Sequence, residues 1–316
     1  MPVFKRKPLE GVFVITPLCI KENQEIDYEG IRWNIEWLEE KGIHGFIQLG
    51  CMGQHNAPSE EEFDKICDVC VDASKDKKIA CVVSSTATST KEAIRRAKYA
   101  EDAGADGSML ALPYAFPVID EWAVEFYQMV DDALEGKMAI MLYDFPPLTG
   151  FSISTYLWKE HLLNIKSIKA VKESNYNLHT HDSLVFTIAD KVNVFPGSEL
   201  PFYHDSLLGA KGMIGVLVWV APKVMLRFYE ECRKGNQRDP WTLKAFKALV
   251  DGDLGHGIHP GMVPMASYEH GYCNTLAEIG GAKAGPPRKP YGQLPAEIRK
   301  HLEEALRPLM EMEKEM

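Results

Sequence analysis

The chain alternates short apolar runs with amphipathic segments over its first two thirds. Eight such runs, each bounded by polar or glycine-containing turns, span residues 11–18, 45–50, 78–85, 107–113, 138–146, 167–174, 193–199 and 212–218. Runs of this length without sustained polar alternation are typical of strands that are buried on both faces. The segments between them have helical periodicity, and Ser59 with Glu62 and Ser89 with Glu92 have the spacing of a helix N-terminal capping box. The pattern therefore predicts repeated strand–helix units.

Eight strand–helix units predict an α/β fold, a (β/α)8 TIM barrel, with a doubly wound open sheet as the alternative. We expect residues 1–235 to form the barrel and catalytic domain. Residues 236–316 contain two further helical stretches, joined by the Gly- and Pro-rich GGAKAGPPRKPYGQLP. They predict a C-terminal helical extension that packs on the barrel.

Charge and cysteine content limit the kinds of partner and compartment that we expect for this protein. The 316 residues carry a net charge of −10, which argues against a nucleic acid or an anionic membrane as partner, because both prefer a basic face. No apolar run reaches transmembrane length. Seven cysteines, an odd number, indicate reduced thiols. We therefore expect a cytoplasmic protein that acts on small molecules.

The sixth run, SIKAVKES, carries two lysines in a segment that should be buried. Residues two apart share a strand face, so Ala170 and Lys172 lie on one side while Lys169 and Val171 lie on the other. Lys172 falls near the C-terminal end of the strand, where barrel enzymes place their chemistry. Low polarity there would lower the pKa of Lys172 and yield an amine that attacks a carbonyl. We expect Lys169 on the outer face.

The fifth run places a second reactive group next to this lysine. In MAIMLYDFP, Met141 and Tyr143 share a face, so the Tyr143 phenol should lie at the barrel mouth one strand away from Lys172. Schiff-base chemistry needs a group that moves protons, and a tyrosine can serve.

Several motifs, in order, resemble one known family. They are Thr16-Pro17, GCMGQ at 50–54, Tyr143-x-x-Pro-x-x-Thr-Gly, the Val-Lys-Glu strand around Lys172, and GMIGVLVWVAP at 212–222. This set resembles the dihydrodipicolinate synthase / N-acetylneuraminate lyase family of class I pyruvate aldolases.

The resemblance implies a role for each matching residue. Lys172 would form an imine with a 2-oxo acid, usually pyruvate, and Tyr143 would relay protons. The loop of Gly50, Cys51 and Met52 would hold the substrate carboxylate through backbone N–H groups, and the backbone near Ile214 would line the same pocket. The resemblance also implies a homotetramer, with neither a metal nor a cofactor.

Departures from the family pattern bear on the substrate. Cys51 and Met52 replace the two hydroxyl residues of the loop, and Leu148 stands where the synthase branch has an arginine for a second carboxylate. These changes disfavour dihydrodipicolinate synthesis. A pocket bordered by Met52, Leu148, Phe116 and Trp219 would suit an apolar or aromatic aldehyde, as in the hydratase-aldolases.

Two alternatives stay open. Ser198 and Glu199 match positions where sugar-acid members bind hydroxyls, which keeps a sugar-acid or neuraminate-type aldolase or dehydratase possible. The lost loop hydroxyls also allow a non-catalytic relative that binds a 2-oxo acid.

Other polar residues have simpler interpretations. Cys67 and Cys70 fall on one apolar helix stripe and are expected in the core rather than on a metal. His179 and His181 could line the barrel mouth, but we favour exposed polar residues at a helix start. His55 lies beside the carboxylate loop, where a substrate contact and a plain loop position are equally open.

Overall fold

Eight parallel strands form the core of the protein. The structure, a computed structural model, describes residues 6–175, 177–257 and 268–316. The strands pair in the order β7-β6-β5-β4-β3-β2-β1-β8, so β1 is hydrogen-bonded to both β2 and β8. Their bounds are β1 Gly11–Ile15, β2 Gly45–Gln48, β3 Ala80–Ser84, β4 Gly107–Ala111, β5 Ala139–Asp144, β6 Ile168–Glu173, β7 Asn193–Pro196 and β8 Gly212–Gly215.

β7 and β8, the two ends of this strand order, lie next to each other and close the barrel through side-chain contacts. The Lys211 N–H donates to Asn193 Oδ1 at 3.1 Å across this seam, and the ring of Phe195 packs directly against Gly212. Phe195 also meets Phe13 inside the barrel, with ring centroids 5.0 Å apart. Only a residue without a side chain fits beside Phe195, which explains Gly212 at this point. The predicted (β/α)8 TIM barrel is confirmed.

Helices surround the barrel. Their bounds are α1 Tyr28–Glu40, α2 Glu60–Ser74, α3 Thr90–Ala103, α4 Asp120–Leu134, α5 Pro146–Thr149, α6 Thr155–Glu160, α7 Leu178–Ile188, α8 Phe202–Asp205, α9 Pro222–Arg233, α10 Pro240–Gly257, α11 Glu269–Ile279 and α12 Ala296–Lys314. Ser59 and Glu62 form the predicted capping box at the start of α2. Ser89 caps α3, but the Glu92 carboxylate bonds Arg95 and Arg96 instead of completing a box.

Cysteines contribute to packing rather than to cross-links. Cys67 and Cys70 are fully buried on α2, as predicted. All seven cysteines are free thiols. Among the described helices, none combines the length and the apolarity that a membrane crossing requires.

The C-terminal helices α10 to α12 pack on the barrel, and this confirms the predicted extension. One stripe of α12 is buried, comprising Leu302, Leu306, Leu309 and Met312. Glu313 Oε2 accepts from the N–H groups of Lys223 and Val224, both at 3.0 Å, and so caps the start of α9. The domain boundary at 235/236 remains a prediction, since residues on both sides of it share the barrel mouth.

Candidate active site

Lys172 and Tyr143 lie side by side at the C-terminal ends of β6 and β5. The pairing aligns Tyr143 with Lys172, and Lys172 Nζ lies 4.2 Å from the centroid of the Tyr143 ring. The pairing register shifts between Ile140 and Met141, so that Lys169 is left without a partner on β5 and is exposed. The bulge leaves Lys172 facing inward, and only 4% of its surface is accessible.

Burial changes the acidity of this amine. It lowers the pKa of Lys172 to about 8, an effect that is opposed by the charges of its neighbours, including the Glu269 carboxylate. At neutral pH about one molecule in ten therefore carries the unprotonated, nucleophilic amine. An exposed lysine of ordinary pKa would have a far smaller unprotonated fraction at neutral pH.

A cavity of about 610 Å³ opens above Lys172. Cys51, Met52, Leu148 and Glu199, four of the predicted substrate-binding residues, line it. The Ile214 side chain is fully buried in the barrel, and the next residue, Gly215, reaches the cavity. Gly50 is buried at the start of the loop, with Ile15 against the position where a side chain would begin.

Two predicted wall residues lie elsewhere, so that part of the prediction is wrong. Phe116 follows β4 and is 83% exposed, outside the cavity lining. Trp219 is fully buried, where its Nε1 donates to the Ile15 carbonyl at 3.0 Å and its ring stacks on Trp37. Residues that the sequence did not single out complete the apolar wall, namely Phe145, Pro147 and Val216.

The polar wall comes largely from the C-terminal extension. Its contributors are Asp253, Glu269, His270, Tyr272 and Tyr291. Cys51 Sγ lies 3.9 Å from Glu269 Oε2, and His270 Nδ1 lies 3.1 Å from the Met52 carbonyl oxygen. Sequence reasoning missed these residues because helical periodicity does not show where an extension docks. One signal was present: polar residues recur around the whole circumference of α11, a helix buried on every side from His270 to Ala277.

Glu199 is a buried acid in the same cavity. Its carboxylate accepts from the Leu217 N–H at 2.6 Å and packs directly on Gly215. Burial raises the pKa of Glu199 to about 7, although bonds from the backbone oppose the rise. Glu199 can therefore exchange a proton near neutral pH.

His55 lies in the cavity wall rather than on an exposed loop. Its ring meets Tyr114 edge-on at 5.4 Å between centroids. Burial lowers the pKa of His55 to about 4, so the ring is neutral at physiological pH. Its Nε2 has no hydrogen-bond partner among the described residues. The position favours the substrate-contact interpretation over a plain loop residue.

The expectation for His181 is wrong. His179 is exposed as predicted, but His181 is 4% exposed and its Nε2 lies 2.8 Å from Asp205 Oδ2. The cause is the Asp205 carboxylate, which reaches His181 from α8, while Glu173 lies on the other side of the ring, 3.9 Å from Nδ1 to Oε1. A polar layer thus lies behind the strand that carries Lys172.

A family model described as "Dihydrodipicolinate synthetase family" matches residues 8–309. The chain belongs to this family. The resemblance drawn from the motifs is confirmed, and with it the expected enzyme class, a carbon–carbon lyase.

Two curated relatives are both named 4-hydroxy-tetrahydrodipicolinate synthase. The protein from Archaeoglobus fulgidus is 29% identical over 307 residues, which cover 95% of this chain and 98% of that protein. The protein from Methanococcus maripaludis is 30% identical over 232 residues, which cover 72% of this chain and 77% of that protein.

Solved structures share the fold. A dihydrodipicolinate synthase superposes with a TM-score of 0.82 at 26% identity, over 95% of this chain and 99% of that one. The prophage protein YagE of E. coli K12, solved in complex with pyruvate, superposes with a TM-score of 0.84 at 21% identity, over 95% of this chain and 98% of that one. A catalytic lysine mutant of the sialic acid aldolase of Ruminococcus gnavus superposes with a TM-score of 0.84 at 19% identity, over 97% of each chain. At these last two identities the likeness concerns the fold alone.

Proposed function

We propose that the protein is a Schiff-base-forming lyase that makes or breaks a carbon–carbon bond between pyruvate and an apolar or aromatic aldehyde. One observation carries the proposal: Lys172 is buried beside Tyr143 under a cavity and has a pKa of about 8. Membership of the dihydrodipicolinate synthetase family supports the lyase chemistry.

The chemistry follows from the amine. The Lys172 amine attacks the 2-oxo carbon of pyruvate, and the carbinolamine loses water as an iminium forms. In the direction of synthesis, the pyruvate iminium loses a methyl proton to give an enamine, whose carbon attacks the aldehyde while the aldehyde oxygen takes up a proton. In the direction of cleavage, the 4-hydroxy-2-oxo acid forms the imine, and the iminium accepts the electron pair of the breaking carbon–carbon bond as the 4-hydroxyl loses its proton and the aldehyde leaves. Tyr143 would carry these protons.

The loop beside Lys172 is the proposed carboxylate site. It turns tightly, since Gly53 N–H donates to the Gly50 carbonyl at 2.9 Å. We assign the pyruvate carboxylate to the N–H groups of Cys51 and Met52. The pyruvate bound in YagE supports a 2-oxo acid of this size.

The other part of the cavity bears on the aldehyde. Met52, Phe145, Leu148 and Val216 give it an apolar side. Leu148 offers no charge-assisted bonds to a second carboxylate, which argues against the synthase reaction named for the curated relatives.

A sugar-acid aldolase or dehydratase is the second candidate. A specific observation favours it: Glu199, with a pKa of about 7, lies beside Ser198 on the cavity wall. An acid of that pKa could bind a substrate hydroxyl or protonate it as it leaves.

Self-association is part of the proposal. Large apolar side chains are exposed on neighbouring elements, namely Tyr156 on α6, Leu178 and Phe186 on α7, and Leu207. Such a group is typical of a protein–protein contact, and we propose a homotetramer.

Imine trapping tests the chemistry. We expect pyruvate with borohydride to add one covalent label, which mass spectrometry locates on Lys172. Lys172→Ala should lose the label, and Lys169→Ala, which removes the exposed lysine of the same strand, should keep it. No label on a folded protein would favour the non-catalytic alternative, and a label on another lysine would refute the assignment.

Substrate choice needs its own measurement. We expect kcat/KM with pyruvate to be higher for aromatic aldehydes than for aspartate semialdehyde or short sugar aldehydes. If aspartate semialdehyde is preferred, the argument from Leu148 fails. If only polyhydroxylated aldehydes react, Glu199 and Ser198 outweigh the apolar wall.

A further inference from the structure

Two histidines and two aspartates converge at the ends of α7 and α8, behind β6. His181 and Asp182 lie near the start of α7, and His204 and Asp205 end α8. One ligand atom from each of the four residues lies within 4.8 Å of all the others. The sequence predicted neither this cluster nor a metal.

The histidine N–H groups of the cluster do not provide a hydrogen bond to every carboxylate oxygen in it. His204 Nε2 lies 2.9 Å from both Asp182 Oδ1 and Asp205 Oδ1, yet one N–H cannot align well with both oxygens. The well-aligned hydrogen bond goes to Asp182, and among the described residues no well-aligned donor is left for Asp205 Oδ1. Asp205 is fully buried. A buried carboxylate oxygen without a donor is costly, so it indicates a missing ligand.

A cation would satisfy all four groups at once. Each of the two ring nitrogens can offer a lone pair, and the two carboxylates supply negative charge. Two imidazoles and two carboxylates form a four-coordinate donor set of the kind that Zn²⁺ and similar transition metals accept, whereas Ca²⁺ and Mg²⁺ prefer oxygen ligands alone.

The surroundings fit such a site. The second nitrogen of His181 faces Glu173, an arrangement that orients ligating histidines in metal proteins. The side chains of His204 and Asp182 are 38% and 44% exposed, which leaves a path for an ion. A second cavity of about 420 Å³ borders His181 and His204, and it shares Gly197 and Ser198 with the first.

We propose that His181, Asp182, His204 and Asp205 form a binding site for one divalent transition-metal cation of the Zn²⁺ class. The ion would hold α7 against α8, behind the strand that bears Lys172. This inference does not rest on the proposed lyase activity, and either can fail without the other.

Cobalt binding tests the site directly. We expect metal-free full-length protein to bind one Co²⁺ per chain, with the intense visible absorption of a four-coordinate ion and without the near-ultraviolet band of a cobalt–thiolate bond. Zn²⁺ should displace the Co²⁺ and abolish the visible spectrum.

Variants of the half-exposed ligands locate the ion. His204→Gln and Asp182→Asn should each weaken Co²⁺ binding at least tenfold, while His179→Gln, which changes an exposed histidine of the same helix, should bind as the wild type does. The thermal unfolding temperature should rise on addition of Zn²⁺ in the wild type and in His179→Gln, but not in His204→Gln.

Three results would overturn the proposal. They are wild-type protein that binds no Co²⁺, a spectrum with the thiolate band, and His204→Gln protein that binds Co²⁺ as tightly as the wild type. The first would mean that protons, one on each histidine, are what neutralises the cluster.

Discussion

Lys172 can attack a carbonyl only in the molecules in which its Nζ has lost a proton. Burial lowers the pKa of this amine to about 8, whereas the acidic neighbour Glu269 acts in the opposite direction. The groups around it are Cys51, Glu269 and Cys273, together with the ring of Tyr143. The amine is charged below its pKa, so activity falls as the pH drops through that value.

The pH dependence of the reaction follows. We expect kcat/KM with pyruvate to rise as the pH increases through about 8. Glu269→Gln removes a carboxylate that raises the pKa of Lys172, so its inflection should move to lower pH, while Glu61→Gln on exposed α2 surface should not move it. A pH–rate profile of the three proteins checks this, and an unchanged inflection in Glu269→Gln would contradict it.

The phenol of Tyr143 has a role separable from that of the amine. Tyr143→Phe keeps the ring that lies 4.2 Å from Lys172 Nζ, so the imine should still form and be trapped. Turnover should fall by about a hundredfold or more, the usual scale for a positioned proton carrier. Borohydride trapping measures imine formation, and steady-state kcat measures turnover. Turnover equal to that of the wild type would remove Tyr143 from the mechanism.

Asp144 is a buried acid behind the site, next to a second buried acid. It pairs with Glu173 across β5 and β6, and both are 2% exposed. Burial, and then the charge of Glu173, raise the pKa of Asp144 well above its ordinary value. Asp144 Oδ2 accepts from the Ile153 N–H at 3.2 Å. Glu173 Oε2 is buried without a hydrogen-bond partner among the described residues, so a proton on Asp144 would supply the donor that it lacks.

Substitution at Asp144 distinguishes a neutral from a charged carboxyl. Asparagine can make both bonds, so Asp144→Asn should unfold at nearly the wild-type denaturant midpoint. Asp144→Ala leaves buried partners without bonds and should lower the free energy of unfolding by about 1–3 kcal/mol. Equal losses in the two variants would show that Asp144 is ionised.

At the scale of elements, Arg288 is one of the side chains that connect the C-terminal extension to the barrel. Arg288 makes a paired contact with Glu62 on α2, with both N–O distances 2.7 Å. Its guanidinium also donates to the carbonyls of Ala57 and Gln24, at 3.1 and 3.0 Å. Four bonds from one planar group fix the segment that brings Tyr291 to the cavity.

Lysine cannot replace this geometry. Arg288→Lys keeps the charge but loses the forked contact, so we expect the free energy of unfolding to fall by about 1–3 kcal/mol. KM for the aldehyde should rise because the cavity wall loosens. Arg299→Lys, which alters an ion pair on the more exposed surface of α12, is the control. Denaturant titration and steady-state kinetics measure the two effects, and identical behaviour of the two variants would contradict the assignment.

At the scale of the whole molecule, the large apolar side chains that are exposed on the neighbouring helices α6 and α7 suggest a contact with another copy. Phe186 is 78% exposed and Tyr156 is 65% exposed. If these side chains meet another copy, Phe186→Glu should reduce the mass measured by sedimentation, whereas Leu243→Glu on α10 should not. Association unchanged in Phe186→Glu would place the contact elsewhere.

The sequence by itself determined the barrel and the position of its reactive pair. Strand periodicity is a local property, and eight buried runs separated by helices leave few architectures open. Alternation along β5 and β6 placed Tyr143 and Lys172 on inward faces, and the motifs led to the family that the comparisons confirm.

Tertiary structure decided what surrounds that pair. Glu269 and Tyr291 reach the cavity because distant helices dock there, and no local pattern encodes a docking site. Trp219 was expected at the mouth, but its indole N–H found a buried acceptor in Ile15 instead. His181 was expected in solvent, yet Asp205, which arrives from another helix, holds it inside. Local periodicity fixes which face a residue takes, while long-range packing fixes what that face meets.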